Sequence, residues 1–272
     1  VSFRSTNPKK IRKQAWKISI LPFLLFILLP LVALLFGANP GEIFEELKQE
    51  QVLQAIQLSM GTSVITILLT LLFGTPVAYS LANRRGRFNQ IIDTLVDLPT
   101  VLPPSVAGVA LLMAFGRRGL LGPWLGALGI SLPFTSAAVV MAQLFVAAPL
   151  YIKSAAIGFS GVSQEVKSAA AMDGASSWQT FLYITVPLAW ASLLSGGVLT
   201  WARALGEFGA TIIFAGNFPG RTQTMPLAIY IGFEIDLKVA LVLSVILISI
   251  SFFTLLLVKI LLHHTIQDTS EM

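Results

Sequence analysis

The 272-residue chain has no cysteine, which excludes disulfides, thiolate metal sites and cysteine nucleophiles. Histidine is nearly absent too: the only two are His263 and His264, close to the C-terminal end. Charged residues make up 11% of the chain, less than half the share of about 25% usual for soluble domains. No G-x-x-x-x-G-K-[ST] phosphate loop is present; Gly216 to Thr222 comes nearest, but it is one residue short and has Arg221 in the lysine position. Energy from ATP therefore has to come from another chain. Short alternating strands, the mark of a membrane barrel, are also missing.

Apolar residues fill the space the charges leave. They make up 55% of the chain and give a mean hydropathy of +0.81, more apolar surface than a soluble domain can bury. Crossing a bilayer core takes about 20 apolar residues in a helix, and six such runs are predicted at 18–37, 57–82, 92–115, 134–157, 187–214 and 239–262. Backbone polar groups must pair internally in lipid, so these runs predict an all-α, polytopic membrane protein. The first run is long for a signal-peptide core and lacks an A-x-A site, so it reads as a retained helix. Ile43, Phe44, Leu47 and Leu53 lie near one helical face within 42–55, which predicts a short surface helix before the second span.

Basic residues flanking the spans set the orientation. Arg4, Lys9, Lys10, Arg12, Lys13 and Lys17 precede the first span, and Arg84, Arg85 and Arg87 follow the second. Both groups belong in the cytoplasm, which also places there both termini and the 158–186 segment. The 42–50, 116–133 and 215–238 loops then face the other side, where Arg117 and Arg118 run against the rule. The formal net charge of +5 is thus largely topological and set against lipid headgroups, so nucleic-acid binding is a poor reading.

The segment between the fourth and fifth spans is polar and rich in small residues. It contains Glu165, Ser168-Ala169-Ala170-Ala171-Met172-Asp173-Gly174, then Ala175-Ser176-Ser177-Trp178 and Ile184-Thr185-Val186-Pro187. Alanine favours helix and Gly174 suits the left-handed residue that ends one; Ser176 or Ser177 then caps a second short helix. Such a pair presents a close-approach face to a partner, or is simply a cytoplasmic loop. Its spacing resembles the docking loop of ABC importer permeases, with Ala169, Ala170, Gly174, Ile184 and Pro187 in register. Ser168 stands where that pattern has glutamate and Val186 where it has leucine; Glu165, one turn earlier, offers a substitute carboxylate.

The resemblance extends over about 55–262. Ala202-Arg203-Ala204-Leu205-Gly206-Glu207-Phe208-Gly209-Ala210-Thr211, followed by the segments 215–224 and 226–230, closely resembles permeases for molybdate, and more loosely those for sulfate, and Asp97-Leu98-Pro99-Thr100-Val101-Leu102-Pro103-Pro104-Ser105-Val106-Ala107-Gly108 resembles the third-span pattern of that oxyanion group. The prolines predict an irregular, pore-facing segment or a packing kink. Arg203 and Glu207, four apart, form either a gate pair or a structural one. Asp97, Pro99, Pro103, Pro104, Ser105, Arg203, Glu207 and Thr211 are the pore candidates. Apart from Arg203, no cluster of cations lines the predicted spans, which suits a conduit of modest affinity.

The resemblance implies a type I ABC importer permease fold in the bacterial inner membrane, with residues 1–54 as tail, first span and external segment, 55–262 as core and 263–272 as tail. It also implies a second permease chain forming a homodimer, two cytoplasmic ATPase subunits that bind ATP and Mg²⁺, and an external molybdate-binding protein. No cofactor, metal or catalytic residue is expected on this chain, and tungstate, sulfate and thiosulfate are the neighbouring substrates. Two other classes fit less well. Gly158-Phe159-Ser160-Gly161 matches the short G-x-S-G pattern of intramembrane serine proteases, but no histidine lies within the spans. An ion-coupled secondary transporter predicts inverted repeats and leaves the small-residue segment unexplained.

Overall fold

A computed structural model describes residues 8–37, 39–83 and 86–270. Arg4, Arg84 and Arg85, which carry part of the orientation argument, lie outside these residues. All regular structure among the described residues is helical. The chain opens with α1 (Pro8–Gly37), α2 (Pro40–Glu46), α3 (Glu50–Asn83), α4 (Arg87–Val101), α5 (Pro104–Phe115) and α6 (Gly122–Ala127). It continues with α7 (Ser136–Ser160), α8 (Gln164–Met172), α9 (Ser177–Thr180), α10 (Val186–Leu205), α11 (Gly209–Phe214), α12 (Met225–Ile235) and α13 (Leu237–Ser270).

Five helical runs are long and apolar enough to cross a membrane: Ile20–Gly37, Glu50–Asn83, Ser136–Ser160, Ser177–Leu205 and Leu237–Ile260. The third predicted span, 92–115, is not one helix. It divides into α4 and α5, which bend by 117°. Pro103 and Pro104 are two consecutive residues without an N–H, and a residue before proline is driven to extended backbone; Pro103 accordingly has φ −53°, ψ 136°.

The bent pair still returns the chain across the bundle. Thr66 Oγ1 donates to Gln143 Oε1 at 2.9 Å, Thr75 and Tyr151 share a 2.7 Å hydrogen bond, and Tyr79 meets Phe159 edge-on. Position along α3 rises with position along α7, so these two helices are parallel and the chain between them must cross back.

The fifth predicted span, 187–214, also needs correction. Its helical run begins earlier, at Ser177, and stops at Leu205, with α11 restarting at Gly209. The 215–238 segment is not merely a loop, because it contains α12. At 11 residues, or about 16 Å, α12 is too short to span a core of about 30 Å; its Met225 and Leu227 are buried. The surface helix predicted over 42–55 breaks at 47–49 into α2 and the first turn of α3.

α7 is the centre of the bundle. Its Ala78-facing side, Tyr151, Ile152, Ala155 and Phe159, packs with Ala189 of α10, while Ala138, Val139, Ala142 and Val146 pack with α5 and α11. Apolar contact with lipid tails supplies little drive for helix association, so close packing of small residues has to. Ser154-x-x-x-Gly158 on α7 faces Ser192-x-x-x-Gly196 on α10 in antiparallel register. A Cβ at Gly196 would lie 2.6 Å from Ser154 Cβ, and Ser154 Oγ donates to Ser192 O at 2.7 Å.

Candidate functional site

The segment between α7 and α10 is built by its caps. Ser163 Oγ accepts from Val166 N and starts α8. At the other end Gly174 adopts φ +87°, Gly174 N donates to Ala171 O at 3.1 Å and Ala175 N to Ala170 O at 2.9 Å. This pair of bonds satisfies carbonyls that a helix end otherwise leaves open. Ser176, rather than Ser177, then caps α9 in a reciprocal box with Gln179: Ser176 N donates to Gln179 Oε1 at 2.8 Å and Gln179 N to Ser176 Oγ at 3.3 Å. A nine-residue helix has little stability alone, and α8 has no buried residue. The caps, with a 3.2 Å bond from Lys167 Nζ to Asn83 Oδ1 of α3, hold it in place.

The second short helix is not separate from the span. From α9 the helix continues through a π-helical turn, Phe181–Thr185, into α10. Pro187 explains the widening, since its ring crowds the preceding turn and it has no N–H to give. Trp178 packs on Phe181 at 5.6 Å, and Phe181 meets Tyr79 and Phe159 at 4.8 and 5.8 Å. α9 is thereby fixed to α3, α7 and α10 together.

The outward face of this element exposes large apolar side chains: Met172 is 82% exposed, and Trp178, despite its contact with Phe181, 67%. Glu165, Ser168, Ala169, Ser176, Ser177 and Pro187 are exposed, while Ala170, Ala175 and Ile184 are half-buried. Asp173, Gly174, Ala175, Gln179, Tyr183 and Ile184 line a hollow of about 320 Å³ between the two helices.

The pore candidates form two groups. Pro99 lies inside α4, and Pro103, Pro104 and Ser105 are exposed at the α4–α5 bend. The start of α11 sits against this bend, since a Cβ at Gly209 would lie 2.7 Å from Pro104 Cβ. Gly108 similarly meets Ala210 O, so two interrupted helices, α5 and α11, run side by side. Glu207 is almost fully buried. Its Oε2 accepts from Arg203 Nη1 at 2.7 Å and its Oε1 from Ala210 N at 2.8 Å, capping α11. Thr211 is buried with Oγ1 unpartnered, so neither Glu207 nor Thr211 faces open space in this chain.

Asp97 has a partner that the composition argument overlooked. Lys153, within the Ser136–Ser160 span, places Nζ 2.5 Å from Asp93 Oδ1 and 2.8 Å from Asp97 Oδ2. Arg203 is therefore not alone: Lys153 is a second cation inside a span, contrary to the expectation that only Arg203 stands there. A lysine alone in an apolar run, opposite carboxylates spaced four apart, was the available signal. Ser160, the protease candidate, donates its hydroxyl to Ile157 O at 2.9 Å. No group of potential metal ligands occurs among the described residues.

A helical bundle with interrupted spans and an exposed, rigid loop between two of them defines a polytopic membrane permease. The chain belongs to the family of binding-protein-dependent transport system inner membrane components, whose model matches residues 74–266. It is 40% identical over 230 residues to the molybdenum transport system permease protein ModB of Mycobacterium tuberculosis, covering 84% of this chain and 86% of that one. It is 37% identical over 239 residues to the probable transport system permease protein NifC of Clostridium pasteurianum, covering 88% and 84%. Among solved structures, a bacterial ABC transporter that imports alginate superposes with a TM-score of 0.72 at 16% identity, covering 94% of this chain and 98% of that one. The MetNI methionine ABC transporter superposes at 0.60 with 14% identity, covering 78% and 95%. These two likenesses establish the type I importer permease fold.

Proposed function

We propose that this chain is the membrane-spanning subunit of an ATP-driven molybdate importer, and that α8 and α9 are the docking site for a separate cytoplasmic ATPase. The observation that carries the coupling half is the rigid continuity from exposed α9 through the π-helical turn into a span. Displacing Trp178 displaces α10, whose far end carries Arg203 and Glu207 beside the α4–α5 bend. The substrate half is supported by relatives named as molybdenum permeases that cover more than four-fifths of the chain.

In this reading ATP and Mg²⁺ sit on the partner ATPases, two copies of this chain enclose the pore, and an external binding protein supplies the anion. Both termini and α8–α9 face the cytoplasm of a bacterial inner membrane. Residues 55–262 form the core, flanked by the 1–54 and 263–272 segments. Lys153 and Arg203 are each neutralised within their spans, Lys153 by Asp93 and Asp97 and Arg203 by Glu207, while Lys238 and Lys259 lie at the two ends of the last span. A dianion then meets no strong trap on its way through, as conduction requires, and selection falls to the binding protein.

Uptake of labelled molybdate in cells with and without the gene, competed by tungstate, sulfate and thiosulfate, tests the reading. Loss of molybdate uptake supports it. Loss of sulfate uptake alone overturns the substrate and leaves the coupling argument standing.

A further inference from the structure

The segment joining α5 to α7 sets two unpaired guanidiniums beside an exposed apolar ridge. Arg117 and Arg118 follow directly on α5, and no Asp or Glu occurs in the sequence between Asp97 and Glu165. Neither arginine takes part in an ion pair among the described residues. Their position is fixed by a tight turn. Leu120 N donates to Met113 O at 2.9 Å and Leu121 N to Ala114 O at 2.8 Å, and a Cβ at Gly122 would come 2.1 Å from Gly116 O. Past the turn, Leu120, Trp124 and Leu128 are 83%, 75% and 74% exposed. Beneath them a cavity of about 410 Å³ is lined by Phe115, Arg117, Leu125, Ile130, Ser131 and Leu132, among others. Arg117 is the only charged residue in that lining.

We propose that this segment is a binding site for an anionic phospholipid of the adjacent leaflet. Arg117 and Arg118 hold the headgroup phosphate, Phe115, Leu125, Ile130 and Leu132 hold the upper acyl chain, and Trp124 with Leu120 and Leu128 enters the headgroup boundary. Location and charge together select this ligand. α5 leaves the bundle at Gly116 and the α7 span begins at Ser136, so the segment is confined to the membrane edge. There a basic pair next to tryptophan and leucine matches an anionic surface with an apolar layer beneath it. A soluble anion has no use for the ridge. The same reading explains why two arginines violate the positive-inside pattern: they are headgroup ligands. The inference depends on no particular transported solute.

The test uses the purified full chain in phosphatidylcholine nanodiscs containing a minor share of phosphatidylglycerol, followed by native mass spectrometry in detergent. Wild-type protein retains phosphatidylglycerol, and Arg117→Gln/Arg118→Gln lowers retention about tenfold or more, the scale of two arginines near an anionic surface. Lys238→Gln, which removes a cation already paired with Glu42, leaves retention unchanged. In a second arm, brominated phosphatidylglycerol quenches the fluorescence difference between wild type and Trp124→Phe more strongly than brominated phosphatidylcholine does. Equal retention by wild type and the double variant overturns the proposal. So does displacement of the lipid by inorganic phosphate, or quenching of Trp124 by aqueous iodide but not by brominated lipid, which assign the site to a soluble anion or a protein surface.

Discussion

Gly158 of α7 and Ser192 of α10 approach so closely that a Cβ at Gly158 would lie 2.6 Å from Ser192 Cβ. The contact sits two residues before Ser160, where α7 gives way to the segment carrying α8 and α9. Gly158→Val forces the helices apart, and overpacking of this kind costs about 1–3 kcal/mol. The expected result is a lower unfolding temperature for the purified protein in detergent, partly restored by combining Gly158→Ala with Ser192→Gly. An unchanged unfolding temperature in Gly158→Val means that α7 and α10 do not pack as described.

Lys153 ties α4 to α7 through Asp93 and Asp97. All three side chains are a third to a half exposed, so screening limits the direct contribution to about 1 kcal/mol. The clearer sign of the contact is non-additivity. Lys153→Met leaves two carboxylates facing each other at an apolar boundary and impairs transport more than the combined Lys153→Met/Asp93→Asn/Asp97→Asn variant does. Uptake that falls equally in both variants contradicts the pairing.

Glu207→Gln keeps an acceptor for Ala210 N but removes the charge opposite Arg203. Breaking a buried pair by losing one partner costs about 3–5 kcal/mol, and the part-exposed Arg203 side chain reduces this to about 2 kcal/mol. Thermal unfolding is expected to show that loss, and Arg203→Met/Glu207→Gln to recover part of it.

Gly174 holds φ +87° between α8 and α9. A β-branched residue there costs about 1–2 kcal/mol of local backbone strain and turns α8 away from the hollow at Tyr183. Gly174→Val is expected to keep the chain in the membrane while abolishing uptake. Glu165→Ala separates two readings of α8: lost uptake assigns this carboxylate to the docking face in place of the residue at Ser168, and full uptake removes it from that role. Because the chain has no cysteine, single introduced cysteines at these positions report the partner's location without background.

Apolar run length made the spans legible, but not their interruptions. Apolar run length predicts a straight 92–115 span because Pro103-Pro104 leaves hydropathy unchanged while removing two donors. The short helix capped at Ser176 is legible, but its continuity with the fifth span is not, because the polar Ser176-Ser177-Trp178-Gln179 stands outside the apolar run. α12 was read as loop because it is too short to register as a span. Between α8 and α9 Gly174 and Ser176 have the capping roles their chemistry predicts, since capping is local. The lone lysine of the Ser136–Ser160 span and the carboxylates spaced four apart are visible in the sequence, but their meeting is not, because Lys153 and Asp93 lie 60 residues apart and the contact depends on how α4 packs against α7.

The most direct measurement is molybdate accumulation in proteoliposomes containing this chain with the proposed ATPase and binding protein, compared with the same vesicles bearing Gly174→Val. The account predicts ATP-dependent accumulation with the wild-type chain, and loss of accumulation with the variant even though the ATPase is present. Accumulation driven by an ion gradient without the ATPase contradicts it, as does undiminished ATP-driven accumulation by the variant.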